Sequence, residues 1–251
     1  MKSYSINKAQ TVLTRIGKAT LLAAALLAFA VTSPVQVGKG NQDNPGILPP
    51  QSHPHGKTYG EWAGAWWQWA YSSPNGANPV QDLTGELAGL GQSGSVWFLA
   101  GTFGQTTTRE VTVPAGKSLF IPIINTIWIN IPELGDNPWS EEQREYALSY
   151  IAPFTDNAFN LSCQVDGREV VNLTHYRCQT PDGAEYMITF PENNVWGLPA
   201  GVYGPSVDDG IYLILPPLQP GKHTIHFTAA SQGSFAGSFA LDVTYHLTVR
   251  K

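Results

Sequence analysis

From Ser238 to Val249 the chain alternates without a break. Phe239, Leu241, Val243, Tyr245, Leu247 and Val249 fall on one side, and Ser238, Ala240, Asp242, Thr244, His246 and Thr248 on the other. Successive side chains of an extended chain point to opposite faces. A period of two held this long fits a strand with one face in a core and one in water, which is the pattern of an antiparallel sheet. Just upstream, Lys222 to Ala229 repeats it, with His223, Ile225 and Phe227 on one face. If the two segments form a hairpin whose opposed residue numbers sum to about 468, His226 stands against Asp242 on the outward face.

The rest of the chain reads as further short strands between tight turns. Charged residues make up only 13%, and there are 25 Gly and 19 Pro, the punctuation of a mainly β chain. Val96 to Ala100 is a continuous apolar run, as in a strand buried on both faces. Thr106 to Val113 is the next strand. A Val-Pro-Ala-Gly turn leads into Ser118–Ile131, the most apolar stretch after the N-terminus, where Pro122 marks a break or bulge. Asp166-Gly167 is a two-residue hairpin turn. Glu185–Phe190 and Ile211–Leu215 are short strands, and no internal repeat is visible. The implied fold is an antiparallel β-sandwich, jelly-roll or immunoglobulin-like, with two inserted helices, forming one domain over residues 58–251.

The first helix is spelled out by "TYGEWAGAWWQWAY". Thr58 and Glu61 make a capping box, and Ser72-Ser73-Pro74 ends the segment after Tyr71. At 100° per residue Trp62, Trp66 and Trp69 share one stripe, expected to pack on the domain. Trp67 and Tyr71 fall on the flank and are the aromatic residues expected to reach solvent. A second helix is expected from Glu141 to Ile151, capped by Ser140 with Gln143 and stopped by Pro153.

Residues 1–30 carry a basic n-region (Lys2, Lys8, Arg15, Lys18), an apolar run of 13 from Ala19 to Val31 and an Ala-Phe-Ala cleavage site. These are the marks of a signal peptide, cut near Ala30, too short for a membrane span. The expected product is secreted or periplasmic, without a stable membrane anchor. The full chain carries −5; losing four basic residues takes it to about −9. That balance argues against nucleic acid and against docking on anionic lipid. Residues 31–57, rich in Pro, Gly, Asn and Gln, read as a flexible arm. There, His53 and His55 lack the remaining shell of a metal site. Cys163 and Cys178 are the only cysteines. In an oxidising compartment they imply one disulfide, closing a loop of about 16 residues and contributing roughly 3 kcal/mol.

Signatures of nucleotide binding, zinc proteases and serine hydrolases are absent from the sequence. Four weaker constellations stand out. Trp67, Tyr71 and Trp97 offer flat faces suited to sugar rings or small apolar ligands. Asp82 and Glu86 near them are candidate paired carboxylates for glycoside hydrolysis. His226 with Asp242 could orient a base, although a surface cross-strand pair accounts for it as well. Asp208-Asp209-Gly210 reads as a turn ahead of a strand, short of the six to eight oxygens that Ca²⁺ takes. Asn125 and Asn130, amides inside an apolar run, must be paired or line a pocket. No metal and no cofactor is implied.

"EWAGAWWQWA", "SGSVWFLAGTF" and "VPAGKSLFIPIIN" together resemble segments of an uncharacterised family of secreted bacterial proteins, over Tyr59 to Asn125. The resemblance implies no activity and transfers no catalytic residue. The expected function is an exported, non-catalytic binding or structural protein with a glycan or small apolar ligand at the aromatic residues. The alternative is a secreted carbohydrate-active hydrolase.

Overall fold

A computed structural model describes residues 44–234 and 237–251; the expected signal peptide and the first part of the arm lie outside them. In chain order the elements are α1 (Tyr59–Tyr71), β1 (Val96–Phe98), β2 (Thr106–Pro114), β3 (Ser118–Ile129), α2 (Glu141–Asp156), β4 (Ala158–Val165), β5 (Arg168–Glu169), β6 (Arg177–Gln179), β7 (Tyr186–Phe190), β8 (Gly201–Leu215), β9 (Gly221–Ser234) and β10 (Gly237–Arg250). They build two five-stranded sheets. One runs β1-β3-β8-β6, with β7 also paired to β8; the other runs β2-β10-β9-β4-β5. Their apolar faces meet in one core that includes Leu213, Phe227 and Val243. This is the β-sandwich with two inserted helices that the alternation implies. Most pairs are antiparallel, but β1 lies parallel to β3 and β2 parallel to β10.

β10 behaves as its pattern demands: Leu241, Val243, Tyr245, Leu247 and Val249 are buried. The β9–β10 register pairs Asp242 with Thr228 and Thr244 with His226, a sum of 470 rather than 468. The slip is two residues, so every side chain keeps its face. The expected bulge at Pro122 is present, as a register shift between Pro122 and Ile124. Asp166 and Gly167 make the β4–β5 hairpin turn, both at positive φ.

Two expectations are corrected. β8 is 15 residues long, and its last ten, Ser206–Leu215, are buried. Asp208-Asp209-Gly210 is therefore the middle of a central strand, not a turn before a short one. α2 continues through Pro153 to Asp156. A single proline costs one helical hydrogen bond, while Phe154 beyond it is buried in the main core and Ser231 Oγ donates to its carbonyl at 2.7 Å.

Register also assigns the faces of β8. Asp208, Gly210, Tyr212 and Ile214 lie on the α1 side, where Ile214 N–H donates to Tyr59 Oη. Val207 packs on Ala147 and Ile151 of α2 from the other side. The chain from 44 to 57 also packs on the domain. Leu48 N–H bonds Ile214 C=O at 2.9 Å, and Tyr59 Oη donates to Leu48 C=O at 2.6 Å. Ile47 and Pro54 are buried. This part of the expected arm is held by short polar contacts that no hydrophobic period announces. No helix among the described residues is long and apolar enough to cross a membrane.

Candidate functional site

α1 carries the aromatic cluster. Its capping box forms as read, with Glu61 N–H donating to Thr58 Oγ1 and Thr58 N–H to Glu61 Oε2. Glycines let the helix lie unusually close to the first sheet. A Cβ at Gly60 would stand 2.5 Å from Pro181 Cδ, and one at Gly64 2.7 Å from Tyr186 Cδ1. The opposite side is covered too, for Trp66 Nε1 donates to Leu99 C=O and Trp69 Nε1 to Leu90 C=O, both at 2.8 Å. The helix is thus wrapped nearly all round. Trp67 and Tyr71, expected on an open flank, are only 6% and 3% exposed. Trp62, expected inside, is half-buried beneath Lys57.

Trp67 and Tyr71 nevertheless meet a cleft. Their rings lie 5.3 Å apart, and Tyr71 continues to Phe190 at 5.6 Å and edge-on to Trp196 at 5.9 Å. Both residues line two adjoining lobes. The inner lobe, about 80 Å³, also touches Trp66, Ile124 and Leu241. The outer, about 380 Å³, opens between Phe103, Phe154, Trp196 and Phe239. Asn125 lines both. No charged side chain does. Two N–H donors on these walls, Trp67 Nε1 and Asn125 Nδ2, are buried without a hydrogen-bond partner. Burial pushes the Tyr71 phenol well above its usual range, against a hydrogen bond from Trp196. Gly210 makes room for this wall, since a Cβ there would stand 2.6 Å from Asn125 Cβ.

The third aromatic candidate is elsewhere. Trp97 pairs with Leu119 on the face of β1 opposite Phe98, is buried, and lines neither lobe. Sequence reading missed Phe103 and Trp196, although each is about half exposed. The signal was a large aromatic residue stranded among Gly, Pro and Asn, where no core explains it.

The acids serve the scaffold. Asp82 Oδ1 accepts from Thr84 N–H, Thr84 Oγ1 and Gly85 N–H, and Oδ2 from Leu87 N–H. Partial burial opposes its charge, but these donors outweigh it and hold the carboxyl below the ordinary range. Glu86 is exposed on the same loop. Beneath them Arg109, 1% exposed, donates to the carbonyls of Asp82, Ala100 and Gly101 and to Tyr245 Oη.

Asp208 and Asp209 are fully buried, and each has its own partners. Asp208 accepts from Thr180 Oγ1 and Tyr212 Oη at 2.6 Å and from Tyr186 Oη at 3.2 Å. Burial nonetheless raises its carboxyl to about 6. Asp209 takes a two-pronged bond from Arg177, at 2.9 and 2.7 Å, and one from Gln179. His226 Nε2 reaches Asp242 Oδ1 at 2.8 Å diagonally across β9 and β10, both half-exposed; the threonines opposite them are Thr244 and Thr228, and Thr228 Oγ1 donates to Asn160 C=O. Asn130 is satisfied by Gln143 and by Asn137 C=O. His53 contacts Gln51 C=O, and His55 contacts Ser118 Oγ. No group of three metal-binding side chains occurs among the described residues.

The disulfide is a correction. Cys163 sits in β4 of one sheet and Cys178 in β6 of the other, and both thiols are free. A spacing of 15 suited a loop, but a chain that changes sheet between the two cysteines carries them apart. Burial pushes the Cys163 thiol up to about 12, leaving it inert.

No protein-family model, curated protein or solved structure matches this chain. The geometry itself must therefore carry the functional argument. Apolar walls with a few convergent polar groups are the ordinary make-up of a small-ligand site.

Proposed function

We propose that this chain is a non-catalytic binding protein and that its site is the cleft lined by Trp67, Tyr71 and Asn125. The carrying observation is the pair of buried, unpartnered donors, Trp67 Nε1 and Asn125 Nδ2, on otherwise apolar walls. A buried N–H without an acceptor costs about 1–3 kcal/mol, and a ligand oxygen placed there recovers it. The walls favour an uncharged ligand with flat apolar faces and oxygen acceptors. A glycan ring and a small aromatic compound both fit that description. The hydrolase alternative is less supported, because Asp82 spends its carboxylate on its own loop and is held ionised. Action outside the cytoplasm belongs to the same proposal, and its support is the signal-peptide pattern of residues 1–30.

The test is a tryptophan-emission titration of residues 31–251 with neutral oligosaccharides, planar aromatic compounds and uncharged peptides. At least one class should give a saturable change. Trp67→Phe keeps a ring and removes the donor; it and Asn125→Ala should each weaken binding about tenfold. Trp97→Phe should leave it intact. No saturation with any class, or equal affinity in Trp67→Phe, refutes the assignment.

A further inference from the structure

β3 runs to Ile129, but its neighbour does not. β1 accompanies it only from Ser118 to Phe120, and Leu99 N–H makes the last bond on that side, to Phe120 C=O at 2.9 Å. From Ile121 to Ile129, among the described residues, β3 is paired with β8 alone. The first sheet therefore has an edge about nine residues long without a paired strand; Ile121–Ile124 on it are buried, and it becomes partly accessible from Asn125 to Ile129. Edge strands left open are templates for another strand, and folds normally blunt them with charge, proline or a covering segment. Pro122 and the Gly101–Phe103 segment, which lies beside it at the inner lobe, blunt the start of the edge; Asn125–Ile129 carries neither charge nor proline.

The cavities follow this edge in sequence order. The inner lobe takes Ile124 and Asn125, the outer lobe Asn125, Thr126 and Ile127. A third cavity of about 280 Å³ takes Ile127, Trp128, Ile129 and Ile131, and shares Trp196 with the outer lobe. Consecutive residues can line one groove only where the groove runs along a strand's edge and is walled on both faces of the sheet. Register agrees. Asn125 and Ile127, opposite Gly210 and Asp208, face the α1 side, whereas Thr126 and Trp128, opposite Asp209 and Val207, face away. α1 and Trp196 wall one side; Phe154, Tyr150 and Phe239 wall the other. Across the slot β10 keeps β9 on one side but lacks a strand on the other, since β2 pairs with it only from Asp242 onward.

We infer that this slot is the place of a missing strand, and that its occupant is an extended polypeptide segment added to the edge of β3. The inference rests on reading the cleft as the binding site and names the class of its ligand. Main-chain groups of β3 would bond the added strand, and the lobes would take alternate side chains from it. Peptide carbonyls are oxygen acceptors for Trp67 Nε1, Asn125 Nδ2 and Trp128 Nε1, all three buried and unpartnered. Charge narrows the partner further. Among the described residues lining the three cavities the one acidic or basic side chain is Asp136, at the far end, and the chain carries −5. The segment is uncharged along its length and neutral or basic at its end.

The test uses the peptide Ac-Thr-Val-Thr-Val-Thr-Val-Lys-NH₂, its analogue N-methylated at alternate residues, and a form with Glu in place of Lys. N-methylation removes main-chain donors and keeps every side chain, so no protein variant has to fold. The parent peptide should give a saturable emission change and slow hydrogen exchange at β3 amides beyond Phe120. The N-methylated analogue should bind at least about tenfold more weakly, and the Glu form more weakly than the parent. Equal binding of parent and analogue overturns strand addition while leaving the cleft as a site. So does saturation by an oligosaccharide with none by the peptide. Concentration-dependent dimerisation that protects the same amides without peptide also overturns it, by making a second copy the occupant. Silence from every probe class removes the cleft reading as well.

Discussion

Replacing Gly64 by alanine isolates the close docking of α1. In an exposed helix the change stabilises by about 1 kcal/mol, because glycine is the poorer helix former. Here the new Cβ would lie 2.7, 3.0 and 3.1 Å from Cδ1, Cε1 and Cγ of Tyr186. The tyrosine ring cannot retreat freely, since its hydroxyl bonds Asp208 at 3.2 Å. Overpacking of this kind costs about 1–3 kcal/mol, and weakening a hydrogen bond to a carboxylate adds about 1 kcal/mol. Against the propensity gain, the net is a loss of about 2 kcal/mol. For a domain of this size that lowers Tm by about 4–8 °C, read by calorimetry or by circular dichroism. In a Tyr186→Ala background the same substitution should be neutral or stabilising. A Tm unchanged or raised in the parent, or an equal loss in both backgrounds, would refute the argument.

Asp208→Asn should flatten the stability profile between about pH 7 and pH 4. The folded carboxyl is raised to about 6, so the folded state takes up a proton before the unfolded one. The parent should gain about 3 kcal/mol from this group as pH falls through that window, and the variant should not. Arg109→Met strips donors from the carbonyls of Asp82, Ala100 and Gly101. It should cost more than about 3 kcal/mol in urea unfolding; a loss under about 1 kcal/mol would sink the role given to Arg109. Ellman's reagent should find no reactive thiol in the native protein and two after unfolding without reductant, from Cys163 and Cys178. Thiols that stay silent after unfolding would restore the disulfide.

What could be read in the sequence was whatever a local period or a local cap determines. The alternation of β10 fixed its faces, the Thr58–Glu61 box fixed the start of α1, and Pro122 announced its bulge. What could not be read was set by the other side of each contact. α1 has the composition of a one-faced helix, yet Gly60 and Gly64 draw its second side onto β6 and β7 and bury Trp67 and Tyr71. Asp208-Asp209-Gly210 has the letters of a turn; distant partners, Thr180, Tyr186 and Arg177, make it a strand interior. Helical position singles out Trp67 and Tyr71, and an amide in an apolar run marks Asn125 as paired or pocket-lining, but only the register opposite Gly210 puts Asn125 on the same wall as the two rings. Trp97 shows the converse, for its ring is buried in the same core as Trp67 and yet lies outside the cleft.

The parallel pairing of β2 with β10 has a consequence for how the chain reaches its fold. Thr106–Pro114 finds its partner in Asp242–Arg250, which is synthesised more than a hundred residues later. Until then one side of the second sheet has nothing to close on, and the core residues Val111 and Val113 have no finished layer above them. Loop closure over more than a hundred residues must precede that reward, which places the chain among slow folders of high contact order. A chain stopped a dozen residues short of Lys251 should hold little stable structure, however much of its sequence has been made.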